Sequence, residues 1–225
     1  MGRFIGAAIF GIGGVAILLS LGFWQLSRLD WKLALIAEIE ARISQPEAEV
    51  PADANAGRDR FLPVRAVGRF TGERVNVLSS MREAGPGARI IAVLETLDGR
   101  RLLVDRGFVA QDEAQDFVPE AAQAEVRGNL DWPTDSDAFT PAPDLARNLW
   151  FSRSVEPIAA YLGTEPVMIV ARQDSAAQPP LITTPISGAT LRNDHLEYAI
   201  TWFLLAAVWA VMTTALLWRI RPNRA

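Results

Sequence analysis

A single histidine, His195, occurs in 225 residues, and side chains able to ligate, stack and pair cluster around it. His195, Tyr198 and Trp202, with Trp209 two turns further on, recur at spacings of three, four and seven and so share one helical face. A second group, Trp24, Arg28 and Trp31, also shares a helical face, with Gln25 and Lys32 beside it. An imidazole for iron, flat aromatic rings for a macrocycle, and Arg and Lys for carboxylates are the parts of a haem site. The same residue types have a second use. Tryptophans at a membrane boundary anchor a helix in the interface, and basic residues there contact lipid headgroups. Spacing supports both readings.

Each group stands at the edge of a long apolar run. Residues 4–26 carry no charge, and at the helical rise they span about 34 Å; residues 198–218 are also uncharged and span about 31 Å. Either length crosses the hydrocarbon core of a bilayer. Trp202 and Trp218 sit near the ends of the second run as interface anchors. The first run is longer than the apolar part of a signal peptide and ends in "FWQ", not in a small-residue cleavage site, so it reads as an uncleaved anchor. Its helix is expected to continue beyond the membrane, because Trp31, Leu35, Ile39 and Ile43 form an apolar stripe with charges opposite. Asp194 and Glu197 have the spacing of a capping box that would start the second helix at His195. Glycines in "GAAIFGIGG" on one helix and Ala206 and Ala210 on the other predict that the two pack together.

The basic flanks set an expected topology. Arg3 precedes the first run, and Arg219, Arg221 and Arg224 follow the second. The positive-inside rule then places both termini in the cytoplasm and the intervening domain outside. The expected layout is a transmembrane helix at 4–26, a helical extension at 27–44, an external domain at 45–192, a second transmembrane helix at 195–218 and a basic tail at 219–225. In this layout the first helix leaves the membrane where the second enters it, so the two chemical groups share the outer leaflet.

Between the anchors the sequence reads mostly as strands. "PVRAVGRF" and "RVNVLSS" are split by Thr71-Gly72, and "ARIIAVLETLDGRRLLVDRGFVA" is a hairpin turning at Asp98-Gly99. "AEVRGNL", "NLWFSR" and "EPVMIVARQ" are shorter strands, and "SVEPIAAYLG" is a helix capped by Ser154 and stopped by Gly163. "SQPEAEVPADANAGRD" reads as a linker and "QDEAQDFVPEAAQAE" as a solvated acidic loop. The predicted fold class is a membrane protein whose two transmembrane helices flank an external α+β domain, rich in antiparallel strands and barrel-like.

Several functions are excluded by residue types. The absence of cysteine removes disulfides, thiolate metal sites and Cys-attached haem. Fifteen Arg face 21 Asp plus Glu between residues 45 and 192, a mildly acidic balance that does not suit nucleic acid. A Ser-His-Asp triad would have to use a histidine at a membrane boundary with no nucleophile elbow nearby. No phosphate-binding loop is present, and the sequence does not read as an enzyme.

At these residues the chain resembles a known family. "LGFWQLSRLDWK" (21–32) and "NDHLEYAITWFLLA" (193–206) are similar to the two signature segments of the surfeit locus protein 1 family, the Shy-type cytochrome c oxidase assembly factors. "FLPVRAVGRF", "LLVDRGFVA" and "NLWFSRSVEPIA" match in family order between them, so the resemblance covers nearly the whole chain. Ser154 replaces an acidic residue of the family pattern, and "AGPGARIIAVLE" lacks its Thr-Pro. The resemblance implies a two-span protein that assists biogenesis of haem-copper cytochrome c oxidase and, in bacterial members, binds haem a and helps deliver it to the catalytic subunit. It implies His195 as the haem-iron ligand and Trp24 as the tryptophan of the first motif. Arg28, Trp31, Lys32, Tyr198 and Trp202 complete the expected cofactor-binding set. Expected partners are the oxidase catalytic subunit, membrane lipid and, as a further candidate, haem a synthase. Two rivals carry different expectations: a haem-independent scaffold for oxidase assembly intermediates, and an enzyme acting on haem or quinol.

Overall fold

The computed structural model describes residues 2–114, 117, 121–188 and 193–221. The chain forms two compact units, Met1–Glu38 with Gly188–Ala225, and Ile39–Ser187. In chain order the elements are α1 (Gly2–Ile43), β1 (Ala48–Glu49), α2 (Ala56–Asp59), β2 (Pro63–Met81), β3 (Gly85–Thr96), β4 (Arg101–Ala110), α3 (Gln111–Ala114), β5 (Gln123–Asp131), β6 (Leu149–Trp150), α4 (Val155–Leu162), β7 (Met168–Asp174) and α5 (His195–Ile220).

The second unit is a barrel. Pairing runs β2–β3–β4–β7–β5 and returns to β2, closing five strands on themselves. Closure removes the exposed edges that an open sheet of this size would present. The neighbours are antiparallel except β4 and β7, which pair in parallel from Leu103↔Met168 to Asp105↔Val170. The parallel pair arises because the chain crosses over between β5 and β7 and re-enters the barrel in the direction of β4. Its partners are more than sixty positions apart in sequence, and no local pattern announces such a pairing.

The two strands expected on either side of Thr71-Gly72 are one bent strand. The β2–β3 ladder slips between Phe70 and Arg74, and a bulge there increases the bend. The segment before the bulge pairs with β5 from Pro63↔Asn129 to Arg69↔Gln123, while the segment after it leaves β5, stays on β3 and takes β6 on its other side at Asn76↔Leu149 and Val77↔Trp150. One bent strand thereby closes the barrel. The hairpin between β3 and β4 is present, but its turn has three residues, not two. Thr96 N–H reaches Arg100 O at 2.8 Å around Leu97, Asp98 and Gly99. Gly99 takes φ +83°, which suits glycine and strains other residues.

The stretch read as a linker is ordered into the barrel. β1 pairs in parallel with β2, the Asn55 side chain caps α2 by accepting from Gly57 N–H at 2.9 Å, and Val50 and Ala54 pack on the core. The acidic segment begins as α3 and ends in β5; its residues 115, 116 and 118–120 lie outside the described ones. Ser154 stands at the N-cap position of α4 without capping it, since its hydroxyl donates to Ser136 Oγ at 2.9 Å. Gly163 does end the helix, in the left-handed conformation at φ 62°.

The core draws on every barrel strand and on one face of α4, through Val155, Ile158, Ala159 and Leu162. β4 is buried from Leu102 to Val109 without interruption, as expected of a strand covered on both sides. Each fully buried Leu, Ile or Phe here contributes roughly 1.5–3 kcal/mol of transfer free energy. The buried run includes Asp105 and Arg106.

Candidate functional site

The first unit is built from two helices long and apolar enough to cross a membrane, α1 and α5. Few of their residues are buried: Gly11, Gly22 and Gln25 on α1, and Ala199 and Ala206 on α5. The large apolar residues point outward, as lipid-facing residues do. The glycines let bulky partners approach. A Cβ at Gly22 would lie 2.6 Å from the Phe203 ring, and Cβ atoms at Gly14 and Gly11 would collide with Trp209 and Thr213. Phe23 meets Phe203 edge-on at 5.4 Å between centroids, and Phe10 lies 5.4 Å from Trp209. As α1 advances from Gly11 to Gln25 its partners recede from Thr213 to His195, so the helices run antiparallel.

The Trp209–Gly11 and His195–Gln25 polar contacts cross this seam. The Trp209 indole N–H donates to Gly11 O at 3.1 Å, satisfying a donor that lipid could not. At the other end, His195 Nδ1 lies 2.8 Å from Gln25 Oε1. Gln25 is buried and His195 half-buried. α5 begins at His195 as its spacing predicts, but the capping box does not form. Asp194 occupies the N-cap with no side-chain cap, and the helix opens instead with Tyr198 N–H on Asp194 O at 3.1 Å.

The remaining candidate residues lie beside the seam. Trp24, Trp31 and Tyr198 are 54%, 53% and 53% exposed, and Arg28 is exposed; Trp202 and Lys32 are half-buried. The Arg28 guanidinium lies 4.8 Å from the centroid of the Trp31 ring, a cation–π pair one turn apart. At 100° per residue, Trp24, Arg28, Trp31 and Lys32 fall on one side of the α1 seam face defined by Gly11, Gly22 and Gln25. Tyr198 and Trp202 fall to one side of the α5 seam face in the same way. For antiparallel right-handed helices these two sides are the same flank of the hairpin. Four aromatic rings and two cations therefore line one flank, with the Gln25–His195 pair in the seam beside them. Trp209, which shares the face of His195 by spacing, is engaged instead with Gly11 O.

Gln25 is the residue that spacing alone underrates. The available signal was its place on the stripe of Gly11, Gly14 and Gly22, where a buried amide needs a partner across the seam. In the barrel, by contrast, no group of three or more His, Asp or Glu side chains able to hold a metal occurs among the described residues.

Residues 13–207 match the SURF1 family. The chain belongs to that family. This SURF1-family protein is 31% identical to surfeit locus protein 1 of Rattus norvegicus, over 96% of the chain and 72% of the rat protein. It is 31% identical to surfeit locus protein 1 of Homo sapiens, over 88% and 71%. A bacterial relative, the SURF1-like protein of Rickettsia conorii, is 30% identical over 84% of this chain and 82% of its own. The matched region includes every residue of the hairpin flank.

Proposed function

We propose that this SURF1-family protein is a non-enzymatic assembly factor for haem-copper cytochrome c oxidase, and that it binds haem a as cargo and assists its delivery to the catalytic subunit. The observation that carries the reading is the hairpin flank: the chain's sole imidazole beside four aromatic rings and two cations, at the end of an apolar hairpin. The donor set fits the cargo. His195 would ligate the iron, Trp24, Trp31, Tyr198 and Trp202 would line the macrocycle, and Arg28 and Lys32 would pair with the propionates. The farnesyl tail has the outward apolar surface of α1 and α5 to lie along. Both termini are assigned to the cytoplasm and the barrel to the periplasm of a bacterial inner membrane, on the strength of Arg3, Arg219 and Arg221; Arg224 lies outside the described residues. The catalytic subunit is the assigned recipient, with haem a synthase as a candidate donor.

Purification from cells that make haem a, followed by a redox difference spectrum, tests the reading. Wild type should carry haem a, and His195→Ala should insert normally yet lose most of it, because the chain has no other His or Cys to ligate the iron. Equal haem in both would contradict ligation and leave the haem-independent scaffold.

A further inference from the structure

We infer that Gln25 is the positioning residue for His195: its side-chain carbonyl holds the imidazole in the Nδ1–H tautomer and so leaves Nε2 as the ligating nitrogen. This rests on the proposal that His195 ligates haem iron. The argument begins with burial. Gln25 is 9% exposed, on an α1 face otherwise made of glycines that admit α5. Burying a primary amide between apolar helices is unfavourable unless it is hydrogen-bonded, and its Oε1 meets His195 Nδ1 at 2.8 Å. An amide oxygen can only accept, so the hydrogen must be on Nδ1. A neutral imidazole has one N–H, and Nε2 is then a bare lone pair.

The contact does three things at once. It selects the tautomer, it limits rotation of the ring, and it raises the basicity of the other nitrogen, as hydrogen-bond acceptors behind ligating histidines do. A role confined to joining the helices predicts something different. In that case the tautomer would be immaterial, and helix packing through Gly11, Gly14 and Gly22 would carry the association.

The test uses the full chain in lipid nanodiscs with 15N-labelled histidine. Only His195 takes up the label, so the ring nitrogens give one pair of NMR signals. In the haem-free wild type, Nδ1 should be protonated and Nε2 should have the shift of an unprotonated nitrogen. Gln25→Leu should move the population toward the Nε2–H form that solvated histidine prefers. Gln25→Glu keeps an acceptor oxygen at the same reach and should retain Nδ1–H, its carboxylate favouring a second proton on Nε2 as pH falls. In haem titrations, Gln25→Leu should weaken binding about 10–100-fold, and Gln25→Glu should restore it to within a few-fold.

An Nε2–H signal in the wild type overturns the inference, since Gln25 would then be donating. So does an unchanged tautomer in Gln25→Leu, or a changed tautomer with unchanged haem affinity. Failure of the underlying reading looks different. His195→Ala would retain haem while the haem-free tautomer measurement still gave Nδ1–H.

Discussion

In the barrel, buried charges meet their opposites. Arg106 pairs with Asp174 at 2.6 Å and stacks on Phe70 at 3.9 Å, Asp105 pairs with Arg89 at 2.7 Å, Asp131 with Arg60 at 2.9 Å, and Asp59 with Arg58 at 2.8 Å. In the hairpin the contacts across the seam are an indole N–H on a backbone carbonyl and an imidazole against a side-chain amide. The barrel's polar chemistry is directed at its own strands. The hairpin's is directed outward, with aromatic rings and cations on a single flank. The difference separates the residues that hold this protein together from those proposed to handle its cargo.

Breaking a barrel ion pair should give the largest effect on stability. Arg106→Met strands Asp174, whose side chain is fully buried, and should cost about 3–5 kcal/mol in thermal or denaturant unfolding of the barrel. Arg106→Met with Asp174→Leu should recover much of that loss, since an apolar pair of similar volume often replaces a buried ion pair without penalty. If the comparison holds, haem content at permissive temperature should not change in the double variant.

The hairpin should respond in the opposite way. Gly14→Leu places a side chain where the Trp209 indole sits and should separate the helices, abolishing most haem retention. Barrel unfolding in this variant should stay within about 0.5 kcal/mol of wild type. A barrel that melted together with the hairpin would break the comparison. Arg28→Ala should have a smaller effect on haem retention. Losing charge-assisted hydrogen bonds to a propionate costs roughly 1.5–3 kcal/mol, or about tenfold or more in affinity. Arg28→Lys should retain more haem than Arg28→Ala, and equal retention in wild type and Arg28→Ala would return Arg28 to a headgroup contact.

The smallest effect belongs to the barrel surface. The guanidinium of Arg65, and then that of Arg127, hold the Glu125 carboxyl down to about 2 from its ordinary value of 4.5. A carboxyl depressed in the folded state stabilises above its unfolded value, and that stabilisation fades as pH falls from about 4.5 to about 2. The difference in melting temperature between wild type and Glu125→Gln should be small at pH 6 and disappear near pH 2. Haem retention should be identical in both.

The parts legible in the sequence were those set by local chemistry. Charge-free runs marked both membrane helices, and the β3–β4 hairpin and the Gly163 stop followed from turn residues and alternation. Long-range pairings were not legible, because nothing near Leu103 signals Met168 and nothing near Arg106 signals Asp174. A bulge concealed the continuity of β2, and the linker's Pro and Gly content concealed contacts that depend on a distant strand. In the candidate site, His195 stood out as a solitary imidazole and Trp24 and Arg28 by their spacing. Gln25 did not, because a polar residue gains meaning on a glycine stripe only once the opposing helix is known.

Resonance Raman spectroscopy of the haem-loaded ferrous protein, made with natural-abundance and with 15N-labelled histidine, tests the central claim most directly. Because His195 is the only histidine, any isotope-sensitive iron–ligand band must come from its ring. A low-frequency band that shifts on labelling and vanishes in His195→Ala is the predicted result. A haem that remains bound with no isotope-sensitive band would contradict it.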